Sequence, residues 1–123
     1  MANEITMTIS CVVANGIVIP KFVPAAYTIT QNTAKYHSTM QAIPTSDTVL
    51  DLGDVSTYGW FALHNKDVTN YVDWGPTDTG AIVIIGRMKP GETAGPFRLL
   101  PGAVPRAIAN TASCEVEIWL LAD

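Results

Sequence analysis

The sequence predicts an all-β fold, an antiparallel β-sandwich or jelly-roll-like arrangement of about ten short strands with little helix. Three observations predict it. Apolar residues alternate with polar ones from Ile5 to Val13 and again from Cys114 to Leu121, the period-two pattern of a strand half buried on a sheet. Turn signals built on Gly, Pro and Asn recur roughly every eight to twelve residues. No stretch carries the three-four apolar spacing of an amphipathic helix, and Thr, Val and Ile prevail, as suits a pleated surface.

In order, Ile5, Met7, Ile9, Cys11 and Val13 share one face of the first strand, with Thr6, Thr8 and Ser10 on the other. Asn15-Gly16 then signals a hairpin, because both residues accept a positive φ. The return strand runs from Ile17 to Val23, and Pro20, lacking a donor, places it at an edge or a bulge. Tyr27 to Gln31 and Tyr36 to Ile43 read as strands, the segment from Asn32 to Ser46 admitting a helical turn. Asp47 to Leu52 is a short strand. Gly59-Trp60-Phe61-Ala62-Leu63 is apolar on both faces, so it is expected to be central or covered. His64 to Asn70 is a polar connection, Tyr71 to Trp74 a strand, and Gly75 to Gly80 turn material.

The organising stretch runs from Ala81 to Asp123. Ala81 to Ile85 is again apolar on both faces. Lys89-Pro90-Gly91-Glu92 and Leu100-Pro101-Gly102-Ala103 each put Pro second and Gly third, the residues of a type II turn. With Asn110-Thr111 as a third break, the stretch is expected to form a four-stranded antiparallel meander. Pro96 and Pro105 push their strands towards edges or bulges.

A chain of 123 residues with no composition shift is expected to form one domain over 1–123. Hydrophobic residues make up 48% and charged residues only 15%, against about 25% charged in a typical domain. So little charge is sparse for a solitary monomer, and implies surface buried against other subunits. A net charge of −4 with scattered Lys and Arg leaves no basic stripe for nucleic acid. No apolar run approaches the roughly 20 residues of a membrane span. The N-terminal MANEITMTIS lacks the basic and apolar regions of a signal peptide, so a cytoplasmic origin is expected.

Catalytic machinery is not expected. His37 and His64 are well separated, with no His-x-His pair of the kind a metal-dependent cupin barrel uses. Cys11 and Cys114 form neither a CxxC pair nor a zinc spacing, and are expected to be buried thiols. Asp47, Asp51 and Asp54, then Asp73 and Asp78, lack a calcium-loop spacing and read as turn formers. No G-x-S-x-G elbow or phosphate loop occurs. The reading is therefore no enzyme, no catalytic or metal residue and no cofactor. Aromatics remain. Trp60 is expected in the core, whereas alternation sends Trp119 and Leu121 opposite Ile118 and Leu120, where another sheet or subunit must cover them. Because Trp and Tyr anchor interfaces, the candidate interface set is Trp119, Leu121, Trp60, Trp74 and Tyr71. Tyr58, Tyr71 and Trp74 would alternatively stack on sugars.

Leu63-His64-Asn65, Thr69-Asn70-Tyr71-Val72 and Gly75 open a further pattern. Arg87 to Glu92, Arg98 to Gly102, Ala107 to Ala112 and Glu117 to Leu121 complete it. Together they resemble the C-terminal half of small virion structural proteins of tailed bacteriophages, of the head-decoration or minor structural type. The resemblance implies a β-sandwich present in many copies in the virion, made in the host cytoplasm. Its partners would be the major capsid protein or other virion proteins, in a homo-oligomer for which a trimer would suit the lattice axes. The expected function is capsid decoration or cementing. The alternatives are a tail or connector component, or a carbohydrate-binding module on the particle surface.

Overall fold

Twelve strands and no helix make up the described residues of the computed structural model, which are 5–13, 21–100 and 102–123. The all-β, sandwich-like class expected from alternation is the class observed. The chain divides into two compact units, Met1–Asn32 and Thr33–Asp123.

In the first unit β1 (Ile5–Met7) pairs antiparallel with β2 (Tyr27–Ile29), Thr6 opposite Thr28. Cys11 and Phe22 exchange both backbone hydrogen bonds, at 2.8 and 3.1 Å. The hairpin expected at Asn15-Gly16 and the start of the return strand, Ile17 to Pro20, lie outside the described residues. Met7 is buried, whereas Val12, Phe22 and Val23 are exposed.

The second unit holds two four-stranded antiparallel sheets. The strands of the first are β3 (Tyr36–Ile43), β5 (Tyr58–Asn65), β10 (Thr93–Arg98) and β12 (Cys114–Ala122), in the order β10-β5-β12-β3. The strands of the second are β4 (Thr48–Val49), β6 (Val72–Gly75), β9 (Gly86–Met88) and β11 (Arg106–Ala109), in the order β4-β11-β6-β9. A small hairpin, β7 (Thr77–Asp78) with β8 (Ala81–Ile82), closes on Thr79 and Gly80. Their φ values of 47° and 80° are the paired positive angles of a tight hairpin turn.

The expected meander is corrected. The turns from Lys89 to Glu92 and from Leu100 to Ala103 form, each closed by a 3.0 Å backbone bond and carrying Gly91 and Gly102 at φ 80° and 85°. They do not, however, join paired strands. β9, β10, β11 and β12 alternate between the two sheets, so each turn is an arch from one layer to the other. The physical reason is turn handedness: a type II turn splays its flanking strands, whereas a tight hairpin needs the mirror-image types.

The core lies between the layers. Phe61, Leu63, Val116, Ile118, Leu120 and Ile43 face Val72, Met88, Ala107 and Ala109, and Leu50, Leu52 and Val55 add from a loop. The small Ala107 and Ala109 leave room beside Met88 and Val72 for the large side chains of the other sheet to pack closely. Burial alternates without a break along both β5 and β12. β5 is central, as its apolar sequence predicted, but it extends through His64 and Asn65, which the sequence had read as the start of a connection. Trp60 departs from its expected place in the core, because Phe61 and Leu63 take the inward positions and alternation turns Trp60 outward. The run from Ala81 to Ile85 is not a central strand. Only Ala81–Ile82 is paired, and Val83, Ile84 and Ile85 are exposed. Cys114 is buried as expected, whereas Cys11 is exposed.

Candidate interaction surfaces

The five residues singled out by sequence fall in three places. Trp60, Trp119 and Leu121 share the outer face of the β10-β5-β12-β3 sheet. Trp119 sits between Ser38 and Ala62, and Leu121 sits beside Tyr36. Arg98 lies 5.5 Å from the Trp60 ring and donates to Asp123 at 2.8 Å. Tyr71 is on the other sheet's side, where the Arg87 guanidinium stacks 3.7 Å above its ring. That guanidinium also grips the buried Asp73 carboxylate with two bonds, of 2.6 and 3.0 Å, and the carboxylate in turn holds the Arg87 proton more tightly than usual. Trp74 faces inward, stacked on Phe97 at 5.5 Å, with Phe61 edge-on to Phe97 at 5.4 Å.

Trp74 forms one wall of a cavity of about 230 Å³ where the two sheets part, with Phe61, Ile85, Phe97, Leu100 and Pro105. Only Phe, Trp, Leu, Ile, Pro, Ala and Gly line it. Ile85 and Leu100 of this lining are 64% and 74% exposed; exposed Val104 shares a neighbouring cleft with Leu100, and exposed Val83 and Ile84 precede Ile85 in the chain. The backbone fixes this end: Ile85 donates to the Trp74 carbonyl at 3.0 Å and Val83 to that of Pro76 at 2.9 Å. Exposed apolar side chains beside an apolar cavity make this a candidate interaction surface. Sequence reasoning had read Val83 to Ile85 as strand interior, because an apolar run looks the same whether it is buried or presented.

A second feature lies on the outer sheet face. His64, Glu117 and Thr93 form one cross-strand row, with Trp119 and Ala62 in the next. On the β10 side the register shifts between Ala94 and Phe97. Gly95 there has a φ of 88° and lies so near the Phe61 carbonyl that a Cβ would sit 2.7 Å from it. The shift and the small Ala62 side chain leave a groove of about 250 Å³, bounded by Trp119, Pro96, His64, Glu117 and Thr93. His64 Nε2 is 3.1 Å from the Gly91 carbonyl, and Nδ1 is 3.5 Å from Glu117 Oε1. No sequence signal marks this groove, because its residues come from three strands.

The acidic residues serve the frame. Asp47 accepts from the Ile82 N–H at 2.9 Å and pairs with Arg106 at 3.1 Å; Asp51 accepts from the Gly53 N–H at 2.9 Å. Asp54 pairs with Lys35 at 3.1 Å, which holds its carboxyl below the usual range. Among the described residues no three His, Cys, Asp or Glu side chains converge as metal ligands, and no helix is long and apolar enough to cross a membrane. No protein-family model, curated protein or solved structure matches the chain.

Proposed function

We propose that this chain is a structural protein of a bacteriophage virion, a decoration or cement subunit that stabilises the head lattice through protein–protein contacts. The observation that carries the reading is the apolar cavity whose lining residues Ile85 and Leu100 stand exposed, with exposed Val83, Ile84 and Val104 on the same connecting segments. The resemblance of the segments between Leu63 and Leu121 to phage virion proteins supplies the setting. Low charge and a rigid two-layer frame suit a small subunit present in many copies. Its action would be mass action: a protein that binds only the assembled lattice stabilises it by its binding free energy at every site. The partner is then the major capsid protein, and self-association into a symmetric oligomer would multiply the contact.

The test is reconstitution. Heads lacking the protein are mixed with the purified chain, sedimented and melted. Wild type is expected to co-sediment and raise the melting temperature. Ile85→Glu combined with Leu100→Glu is expected to keep the parent circular dichroism spectrum and fail to bind. Failure of the wild type to bind any head defeats the decoration reading, and binding to isolated tails instead would assign a tail or connector role.

A further inference from the structure

We propose that β3 is a pairing edge through which two copies of this chain join antiparallel about a two-fold axis, continuing the β10-β5-β12-β3 sheet from one copy into the other. β3 takes no part in the apolar cavity, so its role is separate from head docking. A strand at a sheet edge presents a row of unpaired N–H and C=O groups, and folded proteins blunt such rows with short strands, bulges, prolines or charges. Three of the four outer strands are blunted. β4 and β9 run for two and three residues, and β10 is interrupted by a register shift and by Pro96. β3 has none of these devices. It runs for eight residues in unbroken register with β12. Its sequence, from Tyr36 to Ile43, contains no Pro and no Asp, Glu, Lys or Arg.

The ladder shows which groups are open. The Ala122 N–H donates to the Lys35 carbonyl at 2.9 Å, and the same register sets Leu121 opposite Tyr36. Hydrogen-bonded and non-hydrogen-bonded positions alternate along an antiparallel pair, so His37, Thr39, Gln41 and Ile43 turn their backbone groups to β12. Tyr36, Ser38, Met40 and Ala42 turn theirs to the free edge, where none makes a hydrogen bond among the described residues. Their side chains are exposed too, Tyr36 by 73% and Met40 by 49%. Water occupies such a row in the monomer, and the macromolecular partner whose groups match it is an extended strand.

Symmetry makes β3 its own complement. A two-fold axis normal to the sheet keeps the outer faces of both copies on one side, so outward-facing residues meet outward-facing residues. Setting Thr39 opposite Thr39 of the second copy brings Tyr36 against Ala42 and Ser38 against Met40, each twice. Every open N–H and C=O group on both strands is then paired, with two bonds in each of the four pairs, close to the roughly ten direct hydrogen bonds of a typical interface. A slide in one direction sets Tyr36 against Pro44, which has no N–H, and a slide in the other sets Ala42 against Ala34, outside the strand. The large Tyr36 and Met40 side chains fall opposite the small Ala42 and Ser38. His37 falls opposite Gln41, so no ionisable group meets its like across the axis. A three-fold axis cannot pair one edge with itself, so the product is a dimer.

Sedimentation of the full chain from about 1 μM to 1 mM, the range of weak interfaces, reads the association. Amide exchange of the isotope-labelled chain at both ends of that range locates it. The mass is expected to double from 13.2 kDa. The amides of Tyr36, Ser38, Met40 and Ala42 are expected to exchange at least about tenfold more slowly in the dimer, those of His37, Thr39 and Gln41 being protected in both states. Ser38→Lys combined with Met40→Lys sets like charges opposite one another, and is expected to weaken the dimer at least about tenfold with the circular dichroism of the parent. Cys11→Ser first removes the exposed thiol. In that background Thr39→Cys is expected to form an interchain disulfide on mild oxidation, because facing residues at a non-hydrogen-bonded position lie about 4.5 Å apart at Cα, within disulfide reach. Ala42→Cys, held far from its own copy by this register, is expected to stay reduced. The proposal is overturned if the wild type remains monomeric or forms trimers, or if concentration protects other amides instead of these four. It is equally overturned if the double lysine variant dimerises like the parent, or if Ala42→Cys cross-links as readily as Thr39→Cys. Head binding is read separately, since the Ile85 and Leu100 variant is expected to dimerise as the parent does.

Discussion

Asn65 offers the sharpest test of how the frame is held. It is fully buried at the end of β5. Its Nδ2 donates to the carbonyls of Asn70 at 2.9 Å and Met88 at 3.1 Å, and its Oδ1 accepts from the Asp67 N–H at 3.0 Å. Its backbone N–H donates to the Glu92 carbonyl, and its own carbonyl accepts from Gly91. The side chain therefore ties β5 to the 66–71 loop and to β9, while the backbone of the same residue holds the turn that arches between the sheets. Asn65→Leu keeps the approximate volume and removes three bonds, each worth about 0.5–1.5 kcal/mol net, and strands the buried Met88 carbonyl at a further cost of about 1–3 kcal/mol. Water can repair the two outer bonds, so the expected loss is about 3 kcal/mol. That is a large part of a total stability of about 5–15 kcal/mol. With a urea dependence of about 1–1.5 kcal/mol per molar, the unfolding midpoint should fall by roughly 2–3 M.

Asn65→Asp separates hydrogen bonding from packing. It keeps the acceptor for Asp67 but turns a second oxygen toward two carbonyls. When protonated, the acid donates to one of them; when ionised, it repels both. Its folded pKa is therefore raised above the unfolded value, so its contribution is present at low pH and lost as pH rises through the folded value. The deficit relative to the parent should widen between about pH 4 and pH 7. A Leu variant within about 1 kcal/mol of the parent, or an Asp variant with a pH-independent deficit, would refute the role given to this side chain.

Three further outcomes are expected. A Cβ at Gly75 would lie 1.8 Å from the Val83 carbonyl oxygen, so Gly75→Ala should displace residues 83–85, cost about 2–4 kcal/mol through overpacking and lost backbone bonds, and weaken head binding in the same preparation. A thiol reagent should modify exposed Cys11 in the native protein and reach Cys114 only on unfolding, because burial, reinforced by the Asp67 charge, pushes the Cys114 thiol up. Asp67 accepts from the backbone N–H groups of Asn70 and Thr69, which hold its carboxyl below the usual range. Its contribution is thus full above the unfolded value and lost as pH falls through the folded one, so acid unfolding monitored below about pH 4 should begin at higher pH in Asp67→Asn.

Much of the frame could be read from the chain, and the failures have physical causes. The last strand was plain because alternation from Cys114 to Leu121 matches the burial of β12, putting Trp119 and Leu121 outside. The Pro-Gly turns were recognisable as turns from two residues each. Their partners were not, because whether a turn pairs its strands or throws the chain to another layer depends on twist at the flanks and on contacts far away in sequence. Val83 to Ile85 was misplaced since apolar character records a need for cover, not who supplies it. The Trp119 groove was invisible for a different reason. Its shape comes from a register shift at Gly95-Pro96 and from the small size of Ala62, and an alanine in an apolar strand carries no mark of being a floor.

Among the apolar side chains outside the core, exposed ones on connections differ from half-buried ones on central strands. Val83 to Ile85, Leu100 and Val104 stand on connecting segments at the end where the sheets part. Side chains on connections can adjust to a protein surface of similar character. Trp60 and Trp119 stand on adjacent central strands, each held by cross-strand neighbours, Trp60 beside Arg98 and Trp119 beside Ala62. Side chains fixed in this way lose little further freedom on contact.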